Sequence, residues 1–258
     1  MDISNKVVVI TGGGGGIGQA LATAFLDAGA EAVVLSDIDR SPLPEIAERL
    51  NCDHCLCDVT REGDVKRLVE YVVDKYGRID LFVSNAGIPG EGSLLDASSA
   101  TWQKQWEVNV LAHLHVIQQA LPEMLKAGAG YFLFTASAAG LLAATGAAAY
   151  TVTKAGTVKL AEFLAITHGD DNIGVSVLCP QGVDTAMAPP TLGDGQTDGI
   201  LSPEQVAECV LRDLREEKFL ILPHPQVQEY VERKTANPER WLAGMRRLYR
   251  ASCGVSTE

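Results

Sequence analysis

Lys6-Val7-Val8-Val9-Ile10-Thr11, then Gly12-Gly13-Gly14-Gly15-Gly16-Ile17-Gly18, then the segment from Gln19 to Ala28, is the stretch that decides how this chain folds. The first segment is short, apolar and β-branched, as a strand buried on both faces of a parallel sheet should be. The third is rich in alanine and leucine and ends at Gly29, the pattern of a helix with a glycine stop. Between them lies a glycine turn. A backbone without side chains can approach a pyrophosphate closely, and a helix N-terminus presents free N–H groups and the positive end of a dipole. Two fingerprints fit the run: G-x-G-x-x-G at Gly13, Gly15 and Gly18, and T-G-x-x-x-G-x-G at Thr11, Gly12, Gly16 and Gly18. The consecutive glycines satisfy both, so the motif alone does not choose. A flexible glycine linker is the competing reading, and the clean strand and helix on either side argue against it.

Working outward, Glu31 to Asp37 reads as a second strand ending in an acid. Asp37 lies about 20 residues past the last glycine, where a carboxylate accepts from a ribose 2′-hydroxyl and repels a 2′-phosphate. Arg40 is near but not adjacent, and position 15 is glycine rather than basic, so NAD is favoured over NADP. The competing reading of Asp37 is a helix N-cap or a loop residue. Pro42 to Leu50 is a short helix, and Asp53 to Val59 a third strand closed by Asp58 on the nucleotide side. Cys52, His54, Cys55 and Cys57 invite a zinc reading, but no second cysteine pair follows and Cys55 and Cys57 alternate as strand residues do. No metal is expected.

Arg61 to Tyr76 is an amphipathic helix, and Ile79 to Ser84 a fourth strand followed by Asn85-Ala86-Gly87. Open α/β sheets bind ligands at the carboxyl ends of their strands, which puts that turn at the site. Ala100 to Lys126 reads as one long helix with Asn109 in its middle, where a polar residue needs a reason. His113 and His115 are two apart and share no helix face, so they are not a metal pair. Gly130 to Thr135 is a fifth strand, with Ser137 just past its end, and Gly146 to His168 is a helix. Gly174 to Cys179 is a sixth strand. Pro180-Gln181-Gly182-Val183-Asp184-Thr185 then opens a loop to about Leu201, its 186–201 part expected to cover substrate. Ser202 caps and Pro203 starts the next helix, Lys218 to Leu222 is a last strand, and a helical tail runs from Pro223 to Arg250. Strands alternating with helices, with no repeat and no linker, give one α/β domain over 1–258: a doubly wound parallel sheet of six or seven strands with helices on both faces.

Composition bounds the function. The chain has 258 residues, 47% apolar and 21% charged, enough for a sizeable core. A net charge of -12 argues against nucleic acid or an anionic membrane as a partner. No apolar run reaches the roughly 18 residues of a membrane span, no signal peptide precedes the first strand, and the scattered cysteines read as reduced thiols. A cytoplasmic protein acting on a small molecule is expected.

The chemistry is carried by Tyr150-Thr151-Val152-Thr153-Lys154. A tyrosine and a lysine four apart share one helix face. A phenol ordinarily titrates near pH 10, and a fixed ammonium close by favours the phenolate, which makes the pair a general acid/base. Taken alone, the spacing also fits an amphipathic helix with a snorkelling lysine.

Taken together, Thr11-Gly12 with Gly16 and Gly18, Asp58, Asn85-Ala86-Gly87, Asn109, Ser137, Tyr150 with Lys154, and Pro180 with Thr185 resemble the classical short-chain dehydrogenase/reductase family in order and spacing, over essentially the whole chain. The resemblance implies a single Rossmann-type sheet of about seven strands in the order 3-2-1-4-5-6-7. It implies reversible hydride transfer between NAD(P) and a carbonyl or secondary alcohol. It gives Tyr150 the role of acid/base, has Lys154 lower its pKa and hold the nicotinamide ribose, and has Ser137 bind the substrate oxygen. Asn109 would hold a relay water by its carbonyl. Gly12, Gly16, Ile17, Gly18, Asp37, Asp58, Val59, Asn85, Ala86, Gly87, Pro180, Gly182, Val183 and Thr185 would contact or support the cofactor. It also implies a homodimer or homotetramer built on the 100–126 and 146–168 helices. Two departures stand out: Gln181 follows Pro180 where the family usually has glycine, and Ser84 replaces the first asparagine of the usual Asn-Asn-Ala-Gly.

Two other classes compete: a non-catalytic nucleotide-binding regulator of this fold, and a hydrolase using Ser137. Every catalytic position is filled, and Ser137 lies in no G-x-S-x-G elbow. Gly140 to Gly146 are small or apolar, and Met187, Pro189, Pro190, Leu192 and Ile200 add apolar groups, so a hydrophobic ketone or alcohol is expected, with NADPH-dependent carbonyl reduction as the alternative.

Overall fold

In the computed structural model, which describes residues 1–38, 42–90, 92–187 and 198–252, the strand that opens the sequence reading lies mid-sheet. Every residue of β1 (Val7–Thr11) is buried. The elements that follow are α1 (Gly16–Asp27), β2 (Ala32–Asp37), α2 (Leu43–Leu50), β3 (Asp53–Leu56), α3 (Glu62–Tyr76), β4 (Leu81–Ser84) and α4 (Ser99–Trp106). After a π-helical turn at Glu107–Leu111 come α5 (Ala112–Ala127), β5 (Gly130–Thr135), α6 (Ala138–Leu141), α7 (Ala148–His168) and β6 (Ile173–Leu178). The chain ends with α8 (Pro203–Arg215), β7 (Leu220–Ile221), α9 (Gln226–Ala236) and α10 (Pro238–Ser252).

The seven strands form one parallel sheet in the order β3-β2-β1-β4-β5-β6-β7. Side chains alternate across it. Val7 and Val9 pack with α3, α5 and α7 residues such as Leu68, Val116 and Ala161, while Val8 and Ile10 pack with α1 and α8 residues such as Leu21, Phe25 and Val210. Two apolar layers explain why the strand reads as an unbroken apolar run. The chain reverses direction between β1 and β4, opening the crevice at their carboxyl ends where such sheets bind ligands.

Several elements differ from the sequence reading. The expected helix over 100–126 is interrupted by the π-helical turn, because Asn109 is buried there: its side chain bonds Ile88 and its main-chain carbonyl accepts from Thr157 Oγ1 at 2.6 Å. The third strand stops at Leu56, which leaves Asp58 in the following turn. The expected helical tail divides into two helices. Pro238 disfavours a helical Asn237, whose extended backbone and Oδ1, accepting from Arg240 N at 2.9 Å, start a new helix. The last strand has two residues because β6 alone flanks it. The first helix starts three residues earlier, at Gly16, the tail three residues later, at Gln226, and the remaining ends agree to within two residues. Ser202 does cap α8, and with Gln205 it completes a capping box.

The backbone also chooses between the two glycine spacings. Gly12 has φ +65, and a Cβ there would meet Asn85 Nδ2 at 2.9 Å. A Cβ at Gly16 would meet Thr185 Cγ2 at 2.9 Å, and one at Gly18 would run into Gly12 O. Gly15 has φ -83 and its nearest neighbour at an ordinary 3.4 Å. A Cβ at Gly13 would also come within 3.0 Å of Leu35 Cβ, so Gly15, which only the first spacing requires, is the position that favours T-G-x-x-x-G-x-G. Gly15→Ala should therefore keep the parent's denaturant midpoint to within about 0.5 kcal/mol, whereas Gly18→Ala should lose at least about 2 kcal/mol or fail to fold. Chemical denaturation of both variants checks this, and a loss at Gly15→Ala as large as that at Gly18→Ala would restore the first spacing.

Candidate active site

Four strand ends converge on one cavity of about 640 Å³. From β1 come Gly12 and the turn to Gly18; from β4, Asn85, Ala86 and Gly87; from β5, Thr135 to Ala139; and from β6, Pro180 to Val183. Asp37, Tyr150, Lys154 and Thr185 complete the wall, with Leu142, Met187, Ile200 and Tyr249 at its apolar end.

Asn85 ties these ends together. Its Nδ2 donates to Thr11 O at 3.1 Å and Gly12 O at 3.3 Å, and its Oδ1 accepts from Thr135 Oγ1 at 3.0 Å. Thr11 Oγ1 accepts from Asn85 N and Ala86 N. Asp37 ends β2, and its carboxylate accepts from Gly14 N at 2.9 Å and Ile38 N at 2.8 Å. It is a loop anchor on the groove wall and not a helix cap, since α2 is capped by Pro42.

Ser137 N-caps the short α6, accepting from Ala139 N at 3.2 Å while its hydroxyl donates to Pro180 O at 3.3 Å. Tyr150 and Lys154 project from α7. The Lys154 ammonium is 3% exposed, donates to Thr135 O at 2.9 Å and lies 5.6 Å from the Tyr150 ring centroid. Close approach of the main chain allows this convergence. A Cβ at Gly90 would stand 2.5 Å from Tyr150 Cβ, and one at Gly140 2.5 Å from Lys154 O.

Electrostatics in this ligand-free site correct one expectation. Burial pushes the Tyr150 phenol up from its ordinary value, with the Ser137 hydroxyl opposing, and the Cys179 thiol adds to the rise. Burial holds Lys154 down at about 8. The expected lowering of Tyr150 by Lys154 is thus outweighed, because both groups lie in a dry, largely apolar wall.

The sequence-predicted residues divide. Gly12, Gly16, Ile17, Gly18, Asp37, Asn85, Ala86, Gly87, Ser137, Tyr150, Lys154, Pro180, Gly182, Val183 and Thr185 all line the cavity. Asp58 and Val59 do not: Asp58 Oδ1 accepts from Thr60, and Val59 O contacts His115. Asn109 is buried behind the wall. The residues 188–197, with Pro189, Pro190 and Leu192, lie outside the described residues, as do Arg40 and Cys253. Sequence reasoning missed Gln105, which bonds Pro89 O and accepts from Asn109 Nδ2 at 2.6 Å, and Thr157. Their signal was the i, i+4 spacing of Gln105 and Asn109.

The cradle fits a dinucleotide. Backbone replaces side chains at Gly12 and Gly18, the N-terminus of α1 faces the groove, and a carboxylate stands at its far end. A sequence model described as short chain dehydrogenase matches residues 6–194. The chain belongs to the short-chain dehydrogenase family. It is 36% identical over 190 residues to the meso-2,3-butanediol dehydrogenase of Serratia marcescens, covering 72% of this chain and 75% of that one. It is 31% identical over 236 residues to the zerumbone synthase of Zingiber zerumbet, covering 82% and 88%. Among solved structures, a short-chain dehydrogenase/reductase from Burkholderia phymatum in complex with NAD superposes with a TM-score of 0.84 at 27% identity, covering 93% of this chain and 96% of that one. The protein is an NAD(P)-dependent oxidoreductase acting on CH–OH groups.

Lys154 makes a stability prediction with a definite sign. Its folded pKa, about 8, lies below the ordinary 10.5, so the buried ammonium penalises the fold at pH below about 8. The penalty fades as pH rises from about 8 to 10.5, where both states become neutral. Lys154→Met should therefore raise the stability of the ligand-free protein at pH 7 by about 2 kcal/mol. The gain should shrink towards zero by about pH 10.5. Paired denaturation curves at the two pH values check this, and a gain independent of pH would contradict it.

Proposed function

We propose that this chain, working over its whole 1–258 length as one catalytic unit, interconverts a hydrophobic secondary alcohol and its ketone with NAD(H). The observation that carries the reading is that Ser137, Tyr150 and Lys154, from two different elements, meet on one cavity wall that continues to Asp37 at the nucleotide end. A nicotinamide cofactor held there would supply hydride exchange with the carbinol carbon. The protein handles the proton and the geometry. The Ser137 hydroxyl turns from Pro180 O to the substrate oxygen, Tyr150 takes the hydroxyl proton, and the Lys154 ammonium offsets the phenolate charge. Asn109, at the π-helical turn, presents its carbonyl to a relay water beside the Thr157 hydroxyl.

The cofactor is held by the glycine turn and the N-terminus of α1, by Asn85 to Gly87, and by the strap from Pro180 to Thr185. Asp37 accepts from the adenosine ribose and excludes a 2′-phosphate. Asp58 and Val59 support the adenine side. The apolar end of the cavity, with Leu142, Met187, Ile200 and Tyr249, suits a hydrophobic substrate. Among the described residues no helix is long and apolar enough to cross a membrane, and the free cysteines suit a reducing cytoplasm.

Fluorescence titration with NADH and NADPH tests the cofactor reading: NADH should bind at least about tenfold tighter, and Asp37→Ala should narrow the ratio. Tighter NADPH would shift the function to carbonyl reduction. Tyr150→Phe should keep NADH binding and lower kcat by at least about a hundredfold. Retained turnover would remove Tyr150 from its role, and binding of neither nucleotide would favour a regulator.

Val152, Phe163 and Ile166 on α7 are exposed apolar side chains, consistent with helix pairing between copies. Sedimentation should give two or four chains, and Phe163→Glu with Ile166→Glu should give fewer; a monomeric parent would contradict the pairing.

A further inference from the structure

Two buried groups behind the cavity wall have polar atoms to account for. Lys154 carries three N–H donors and gives one to Thr135 O at 2.9 Å. His113, on α5, is 1% exposed. Its Nδ1 lies 2.7 Å from Ser84 Oγ, and its Nε2 is buried with no hydrogen-bond partner. A buried polar nitrogen without a partner is rare and calls for an occupant beside it.

The fold brings the two groups to the same place. Ser84 ends β4 and pairs with Phe134 of β5. The His113 ring meets Phe134 edge-on, with centroids 5.7 Å apart at 87°. Lys154 bonds the next residue along that strand, Thr135. Imidazole and ammonium thus reach adjacent residues of one strand from the same helical layer. His113 also follows Asn109 by one helical turn, and the Asn109 side chain is already committed to Ile88 and Gln105. The titratable groups facing the pair are Lys154 and Tyr150 from α7 and Cys179 past the end of β6. Burial and the Lys154 charge hold the imidazole at about 3, so it stays neutral at any working pH. A neutral imidazole has one N–H and one bare nitrogen.

We propose that Ser84 and His113 are positioning residues for Lys154: Nδ1–H donates to Ser84 Oγ, and the bare Nε2 takes one N–H of the ammonium through a single buried water. A water is the proposed link because Nε2 is buried without a direct hydrogen-bond partner. The extra acceptor keeps Lys154 charged in a site where burial discourages the charge, and the charge in turn stabilises the Tyr150 phenolate. The inference rests on the catalytic role given to Lys154 under the proposed function. It uses Ser84, one of the chain's two departures from its family's pattern.

The first test needs no activity. Nitrogen-15 NMR of the labelled full-length protein, with the His113 signals assigned by their loss in His113→Phe, should show a neutral ring protonated on Nδ1 and bare on Nε2 from about pH 5 to 9. The opposite tautomer overturns the proposal. The second test is kinetic. His113→Phe keeps the ring and its contact with Phe134 but removes both nitrogens. It should lower kcat about tenfold and leave the KM for NAD within about twofold. It should also move the basic group in the kcat/KM profile for alcohol oxidation up by about one pH unit, with His113→Gln restoring part of the shift. A folded His113→Phe whose pH profile matches the parent, even with a lower melting temperature, overturns the proposal and leaves a packing role. If His113→Phe does not fold, Ser84→Ala provides the kinetic comparison, with a smaller shift in the same direction expected and an unmoved profile again overturning it. A parent protein inactive on every alcohol would overturn the proposed function, while the NMR result would still read the hydrogen bond to Ser84.

Discussion

Everything at this site depends on the side-chain amide of Asn85. Parallel strands end in free carbonyls, and at a topological switch point the neighbouring strands diverge. Asn85 closes that gap with two donations to the end of β1 and one acceptance from Thr135 at the end of β5. Its neighbourhood also sets the glycine turn. Gly12 stands in the left-handed region and presses on Nδ2, so a side chain there would displace the clamp. The same threonine that the clamp holds by its hydroxyl gives its carbonyl to Lys154. The glycine turn and the Lys154 ammonium are therefore braced by one short network.

The network operates in a dry wall, and that sets its electrostatics. Burial raises the Tyr150 phenol and lowers Lys154, so each group resists the charge that proton transfer requires of it. Two such groups can still act together, because each charge is the other's best partner once water is excluded. The ligand-free protein bears a buried ammonium that its dry surroundings penalise.

The sequence made much of this legible. β1, the glycine turn and α1 could be read from an apolar run and a helix pattern, and the strand-end position of Ser137 followed from β5. Tyr150 and Lys154 could be placed on one face by spacing alone. Other features could not be read. The π-helical turn depends on Thr157, which lies 48 positions from Asn109 and reaches it only through the packing of α7. The sign of the Tyr150 shift depends on burial, which no local spacing reports. His113 looked like an idle member of a non-pair until Ser84 appeared beside it from another strand. The break in the tail lies at Asn237-Pro238, where a proline disfavours a helical residue before it.

The tail shows where substrate choice is written in such a molecule. The family match ends at residue 194, yet two later residues, Ile200 and Tyr249, line the apolar end of the cavity. His224 accepts from Gln181 N at 3.2 Å, within the strap from Pro180 to Thr185 that lines the cavity. Lys234 donates to Leu141 O at 2.6 Å, at the foot of the Ser137 segment. Tyr249 reaches the cavity itself. Hydride and proton transfer need a geometry fixed by the sheet, so those residues sit on strand ends and on α7. A substrate's far end needs only shape and polarity, which helices packed over the mouth can supply without disturbing the sheet. The chain is similar to proteins as different in name as a butanediol dehydrogenase and a zerumbone synthase. That division explains why the motifs that reveal the chemistry say so little about the molecule transformed.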